Sequence, residues 1–426
     1  MNPMSLRFQG LVAVLLAMVV TLVQADPLPR ATPESVGLSG PRLERIGAML
    51  HQWVDKKEIP GAVIMIARHG KLAYVETVGV RDAGKGAPLA EDNLFRLYSM
   101  TKPIVSIAAM SLVEEGRLAV NEPISKYLPE FKDMKVATEV FDPVTGTQIY
   151  TTAAAKRPIT VQDLLRHTSG LTYGAPLNER TQVQRLYRDA GIWSQKWVLA
   201  DFTKALAQLP LMYEPGTTWE YGHSTDVLGR VVEVAAGKTL DAVLAERIFQ
   251  PLGMRDTAFN LPEGGVDRLA QPQPDPYTGK TPDLLDFTQH QTFFAGGHGL
   301  VGTAADYLRF VEMLVEGGTL EGTRVLGPRI VDYVASNHLH GGIALTPSYL
   351  PGPGYGFGLG FGVRLERGQS PQPGSVGDYY WGGYGGTAFW IDPKEKMVVV
   401  FMTTEPTRRN HYRAILRDLI YAAILD

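Results

Sequence analysis

Two β-rich tracts stand at opposite ends of the chain, so a sheet that uses both must bring those ends together. The first, GAVIMIARHGKLAYVETVGV (61–80), is two apolar runs divided by Arg68-His69-Gly70-Lys71, the pattern of an antiparallel hairpin with a tight glycine-bearing turn. The second lies near the other end, where YGFGLGFGVRLE, YYWGGYGGTAFWID and KMVVVFMTT read as strands and NHYRAILRDLIYAAIL as an amphipathic closing helix. A helix also precedes the hairpin, with Leu43, Ile46, Leu50 and Val54 at helical spacing before Pro60-Gly61 stops it. The intervening pattern is mostly helical with long irregular connections. ITVQDLLRHTSGL opens with Thr160 and Asp163 in capping-box spacing, and STDVLGRVVEVAAG and TLDAVLAERIFQPLG each close on glycine. The expected fold class is therefore α+β. One antiparallel sheet flanked by helices is built from about 26–103 and 291–426, and a mostly helical subdomain of about 104–290 is inserted into it. The Pro-, Asp- and Gly-rich tract from Pro262 to Pro282 reads as a long ordered loop near a subdomain boundary.

Composition narrows the function classes. A chain of 426 residues, 45% hydrophobic and 20% charged, can bury a large core and is not of a disordered or fibrous kind. A net charge of −3, without a long run of Lys and Arg, argues against nucleic acid as a partner. The absence of cysteine removes disulfides, thiolate zinc sites and a Cys nucleophile. Residues 1–25 read as a secretory leader: Arg7 gives a positive lead, LVAVLLAMVVTLV an apolar core, and Val23-Gln24-Ala25 a small-residue end before Asp26. That core falls short of the roughly 20 residues that cross a bilayer. The mature chain is expected in the periplasm or outside the cell, with no membrane span after the leader is removed.

In LFRLYSMTKPIVSIAAMSLVEEGRL, Ser99 precedes Lys102 by three residues just ahead of an apolar run. A serine hydroxyl is a weak nucleophile until a base takes its proton. At the first turn of a helix, positions i and i+3 share a face, so the amine can reach the hydroxyl. Pro103 fits only where the helix has not begun to use its backbone N–H groups, which places Ser99 within about a residue of the helix start. There the helix dipole favours an alkoxide and a deprotonated neighbouring amine, and the apolar run helps to desolvate the lysine. About one Ser-x-x-Lys is expected by chance in a chain of this length; taken by itself the pair reads as a helix cap with a surface lysine.

Its company changes that reading. PGTTWEYGHSTDVLGRVVE places Tyr221 just before a helix, and DYYWGGYGGTAFWID carries a glycine-rich strand near the end of the chain. In this order, and with LLRHTSGL and GGHGLVGTAADYLRF between, the chain resembles the serine β-lactamase and penicillin-binding superfamily, most closely the family VIII esterases of its class C-like branch. The resemblance covers about Leu38 to Leu425. It implies that Ser99 is the acyl-accepting nucleophile, Lys102 its proton partner, and Tyr221 the second-motif tyrosine that passes the proton to the leaving group. Trp381-Gly382-Gly383 takes the place of the third motif, Lys-Thr-Gly, and the N–H of Tyr384 joins that of Ser99 in the oxyanion hole.

Two positions depart from the lactamase pattern: His223 stands for the second-motif Asn and Trp381 for the third-motif Lys. An indole supplies no charge for a substrate carboxylate and offers an apolar wall instead, which moves the expected substrate from lactam to uncharged ester. Gly382, Gly383, Gly385 and Gly386 read as clearing side chains from the path of the acyl group, or as bulges in an edge strand. His223 has two readings, a structural hydrogen-bonding role or the orientation of Tyr221 or of the deacylating water. His298 could line the cleft, although turn geometry explains its neighbouring glycines equally well. His167 is expected to cap its helix, as is Ser224 in the near-miss elbow Gly222-His223-Ser224-Thr225-Asp226. His338 and His340 lack the company of a metal motif and read as an exposed loop.

The expected activity is hydrolysis of small-molecule carboxylic esters through a Ser99 acyl-enzyme, with no metal and no organic cofactor. The alternatives are a β-lactamase, a D-amino-acid peptidase or an acyltransferase, and a non-catalytic protein that binds cell-wall peptides.

Overall fold

The computed structural model describes residues 27–144, 146–174 and 181–426; the expected leader, residues 1–25, lies outside them. Among the described residues no helix is long and apolar enough to cross a membrane.

The two ends of the chain meet in one eight-stranded antiparallel sheet. Its order across is Tyr355–Phe357, Gly362–Arg364, Tyr379–Gly382, Ala388–Asp392, Met397–Thr403, Gly61–Arg68, Lys71–Asp82 and Ala87–Pro88. The last long strand pairs with the first, Ile64 opposite Phe401 and Ile66 opposite Val399. The hairpin expected at Arg68-His69-Gly70-Lys71 is present, with His69 at φ 54° and Gly70 at φ 74°, the left-handed pair that a two-residue turn between twisted strands requires.

Both faces of the sheet are covered, so its central strands are apolar at every position rather than alternately. On Gly61–Arg68, Ile64 and Ile66 pack with Leu43, Ile46 and Leu50 of the helix Gly40–Asp55 and with Leu416 and Ile420 of the closing helix Arg409–Tyr421. Val63 and Met65 point to the opposite face, where they join the main core with Phe310 and Val311 of the helix Ala304–Val315. Under that core runs the helix Thr101–Glu114, buried without a break from Thr101 to Leu112. Such an all-round apolar helix is a central element rather than a surface one. Buried Arg68 ties the ends together further, bonding Glu395, Asp426 and the carbonyls of Val36 and Gly37.

The segment between the sheet halves holds one element that helical periodicity does not announce, a hairpin of Lys135–Asp142 with Thr147–Ala154. It is fastened by the Ala137 N–H to the carbonyl of Leu211 and by the Leu211 N–H to that of Lys135. Its short β-branched runs lack the apolar alternation that marks a half-buried strand, because its tip, with Val140 and Phe141, is exposed. The capping box at Thr160 and Asp163 is formed, opening the helix Val161–Leu165. Ser224, in contrast, is the first residue of its helix rather than the cap; the cap position is His223, and the Ser224 hydroxyl instead meets that of Ser169 at 2.8 Å.

Glu312, on the helix that packs against the sheet, lies under the turn at Gly70, and neither carboxylate oxygen has a partner among the described residues. Burial first, and then the charge of Glu316, push its carboxyl up to about 8 from the ordinary 4.5. The folded state thus holds a proton that the unfolded state releases. The associated stability is complete below about 4.5 and is lost as pH rises toward about 8. Glu312→Gln is expected to raise the melting temperature at pH 8 by a few degrees and to flatten its decline between pH 5 and 8; equal curves for both proteins would contradict this.

Candidate active site

Ser99 lies in a single 3-10 turn, Tyr98–Met100, that continues into the helix Thr101–Glu114. The turn is forced. Tyr98 has φ 46°, a costly left-handed conformation for an aromatic residue. It is held by the Leu285 N–H donating to its hydroxyl at 2.8 Å and by the ring of Tyr384 edge-on at 5.5 Å. Tyr98 and Met100 are buried on either side, and the hydroxyl-bearing residue between them is turned partly outward.

Lys102, one turn on, is 1% exposed. Its Nζ is 3.2 Å from Ser99 Oγ, 2.9 Å from the hydroxyl of Tyr173 and 2.7 Å from the carbonyl of Gly297. Tyr221 comes from the loop ahead of the helix Ser224–Ala236, and its hydroxyl donates to Ser99 Oγ at 2.7 Å. The lysine nitrogen also lies 4.6 Å from the centre of the Tyr221 ring. With Tyr173 and Gly297 engaging two positions of the nitrogen, its remaining position faces the serine. A free amine so placed presents its lone pair to the hydroxyl proton. The three residues expected to act together are therefore together.

An open cleft of about 420 Å³ lies in front of Ser99, lined by Tyr221, Trp381, Gly382, Gly383 and Tyr384. Trp381 forms an apolar wall, packing on Tyr221 at 5.6 Å and Phe357 at 5.3 Å between ring centres. The cleft as a whole is not uncharged, however, because Arg409 and Arg413 of the closing helix line it too. No signal near the third motif marked them, since they lie beyond the last strand.

The glycines also have a use within the protein. A Cβ on Gly383 would fall 2.4 Å from the carbonyl of Leu97 and 2.3 Å from Thr387 Oγ1, and one on Gly385 3.2 Å from the ring of Tyr98. One on Gly382 would meet the guanidinium of Arg413 at 2.7 Å, and one on Gly386, at φ 119°, Thr403 at 2.7 Å. These residues let the protein's own parts close on one another, above all the strand end on the turn that carries Ser99, while Gly382 and Gly383 also line the cleft.

The histidines are also redistributed. His223 does not reach Tyr221, and it is absent from the cleft lining because its ring is buried beneath Tyr173 and Trp193. Its Nδ1 bonds Asp226 at 2.8 Å, the kind of contact a structural role calls for. The histidine that braces Tyr221 is His167, ring centre to ring centre at 4.9 Å. Its backbone, at φ 58°, takes the left-handed position just past a helix end, but its side chain turns inward. Burial first, and then the nearby Lys102, lower its pKa well below the usual range, so it stays neutral. His298 is lowered to about 4, first by burial and then by Lys102 and His223, against the pull of Asp226. Tyr173 escaped the sequence reading, as Arg409 and Arg413 did, and Asp226 figured there only as the last residue of the near-miss elbow. Tyr173 lies two residues beyond LLRHTSGL.

The β-lactamase family profile matches residues 46–422. The chain belongs to the β-lactamase family. It is a serine hydrolase of that family, with the antiparallel sheet and flanking helices of its structural neighbours. It is 32% identical over 400 residues to esterase EstB of Burkholderia gladioli, covering 89% of this chain and 95% of that one. Among solved structures it superposes on EstCE1, a hydrolase with promiscuous acyltransferase activity, with a TM-score of 0.76 at 28% identity over 89% of this chain and 98% of that one. Simvastatin synthase LovD of Aspergillus terreus superposes with a TM-score of 0.74 at 25% identity and the same two coverages, 89% and 98%.

The glycine geometry separates two neighbouring substitutions. Gly383→Ala drives a methyl group into backbone and is expected to lower the melting temperature and abolish ester turnover. Gly382→Ala meets only the end of an arginine side chain and should keep at least about a tenth of the activity. Equal behaviour of the two variants in a turnover and melting assay would contradict the account.

Proposed function

We propose that the protein is an exported carboxylesterase acting on esters of small or medium acids. The observation that carries the reading is the double contact on Ser99 Oγ, Lys102 at 3.2 Å and Tyr221 at 2.7 Å, at the mouth of a cleft whose third-motif position is a tryptophan. Ser99 attacks the ester carbonyl while its proton passes to the Lys102–Tyr221 pair. The oxyanion rests on the N–H groups of Ser99 and Tyr384. The alcohol leaves with a proton delivered through Tyr221, and water then attacks the acyl group by the reverse route.

Similarity to EstB and EstCE1 supports ester chemistry over lactam chemistry, and the EstCE1 description supports a second outcome in which an alcohol replaces water at deacylation. Export rests on the charge and apolar pattern of residues 1–25. It predicts a mature chain beginning at Asp26, read by mass spectrometry of protein recovered from outside the cytoplasm.

Turnover of 4-nitrophenyl butyrate should exceed that of a chromogenic cephalosporin by at least about 100-fold in kcat/KM, the scale of a misfitting ring against the indole wall of Trp381. Ser99→Ala should remove the ester activity. Faster turnover of the cephalosporin would overturn the ester assignment, and an active Ser99→Ala protein would overturn the site.

A further inference from the structure

Behind Lys102, on the side away from Ser99, lies a buried carboxylate that the reaction as drawn does not use. Asp226, in the first turn of the helix Ser224–Ala236, is 0% exposed. Its Oδ1 accepts the N–H of Gly297 at 2.7 Å, and the carbonyl of that same Gly297 accepts from Lys102 Nζ at 2.7 Å. A Cβ on Gly297 would stand 2.9 Å from Oδ1 and 3.0 Å from Oδ2, so the close approach of carboxylate and peptide depends on that glycine. The other oxygen, Oδ2, bonds His223 Nδ1 at 2.8 Å, and His298 Nδ1 stands 3.8 Å from Oδ1.

We propose that Asp226 is a positioning residue for the reaction of Ser99, acting on the amine of Lys102 through the backbone on the two sides of Gly297. The carboxylate fixes the peptide plane that enters Gly297, and with it the position of that residue's Cα. The carbonyl of Gly297, in the next plane across that Cα, then fixes where the lysine nitrogen points, and the remaining position of that nitrogen is aimed at the nucleophile. Asp226 also sets a full negative charge within the field of the amine. Burial alone would push its carboxyl up, but the bond with His223 and the neighbouring His298, His223 and Lys102 outweigh burial and hold it at about 2. It is therefore an anion throughout the working range. The titratable groups facing it are His223 on its own helix, His298 beside Gly297, Lys102 on the nucleophile helix, and Tyr173 and His167 on the segment that follows Val161–Leu165. Neither histidine takes over its role, because Nε2 of His223 has no partner among the described residues and His298 is too distant to bond.

The inference rests on Lys102 being the proton partner of Ser99, and the test keeps the two apart. Asp226→Asn preserves shape: the amide oxygen still accepts from Gly297, and His223 can present its other tautomer to the amide nitrogen. The kcat/KM for 4-nitrophenyl butyrate is measured from pH 5 to 10 for the parent, Asp226→Asn and Lys102→Ala proteins, with a melting curve for each. The expected result for Asp226→Asn is a plateau reduced by about tenfold, carried by kcat rather than KM, at an unchanged melting temperature. An unmoved profile, whether the plateau is unchanged or falls only with the melting temperature, would overturn the positioning role. A Lys102→Ala protein of full activity would overturn the reading of Lys102 itself.

Discussion

The structure depends on one amine taken out of water. Lys102 is enclosed, with three oxygens around its nitrogen, those of Ser99, Tyr173 and Gly297. A buried amine without partners would be strongly destabilising, so these contacts are as much a requirement of folding as of chemistry. They come from three separated parts of the chain: the start of the central helix, the loop after the helix Val161–Leu165, and the turn before the strand pair at Val301. Each must be in place for the amine to be satisfied, and when they are, Ser99 is already addressed by Lys102 and Tyr221. Preorganisation of the nucleophile thus follows from satisfying the lysine.

The sheet sets the distances. Joining the first strand to the last brings the turn at Tyr98 against the end of the strand Tyr379–Gly382. The contact is close enough that Gly383 has room for a hydrogen only beside the carbonyl of Leu97. This places Tyr384 next to Ser99 in the cleft and sets its ring edge-on to Tyr98, whose left-handed backbone turns the serine outward. Strain at one residue is held by packing from several others, as expected where a reactive group must be presented rather than buried. On the opposite side, His167, Trp219 and Trp381 surround the Tyr221 ring, leaving its hydroxyl little freedom except toward Ser99.

Much of this was legible in the sequence, and for physical reasons. Hairpin chemistry, strand alternation and capping follow local rules, so the hairpin at His69-Gly70 and the capping box at Thr160 could be read from a few adjacent residues. Ser99, Lys102 and Tyr221 could be placed because Pro103 and the onset of each helix fix where the side chains begin. What was not legible depended on contacts between distant segments. Tyr173 has no local signature of its partnership with Lys102. That Gly383 and Gly385 also admit the turn at Tyr98 is seen only once the two segments meet. His223 carries the right position in its motif, yet its ring is drawn inward by Asp226, while His167, read as a cap, supplies the brace for Tyr221. Arg409 and Arg413 return positive charge to a cleft from which the motif tryptophan had seemed to remove it.

The central claim is that this hydroxyl becomes covalently acylated. The most direct measurement is rapid acid quenching of the protein during turnover of 4-nitrophenyl butyrate, followed by peptide mass spectrometry. The account predicts a butyryl adduct on the peptide containing Ser99, accumulating in step with a burst of nitrophenol and absent from Ser99→Ala. Full ester turnover with the acyl group on another residue, or on none, would contradict it.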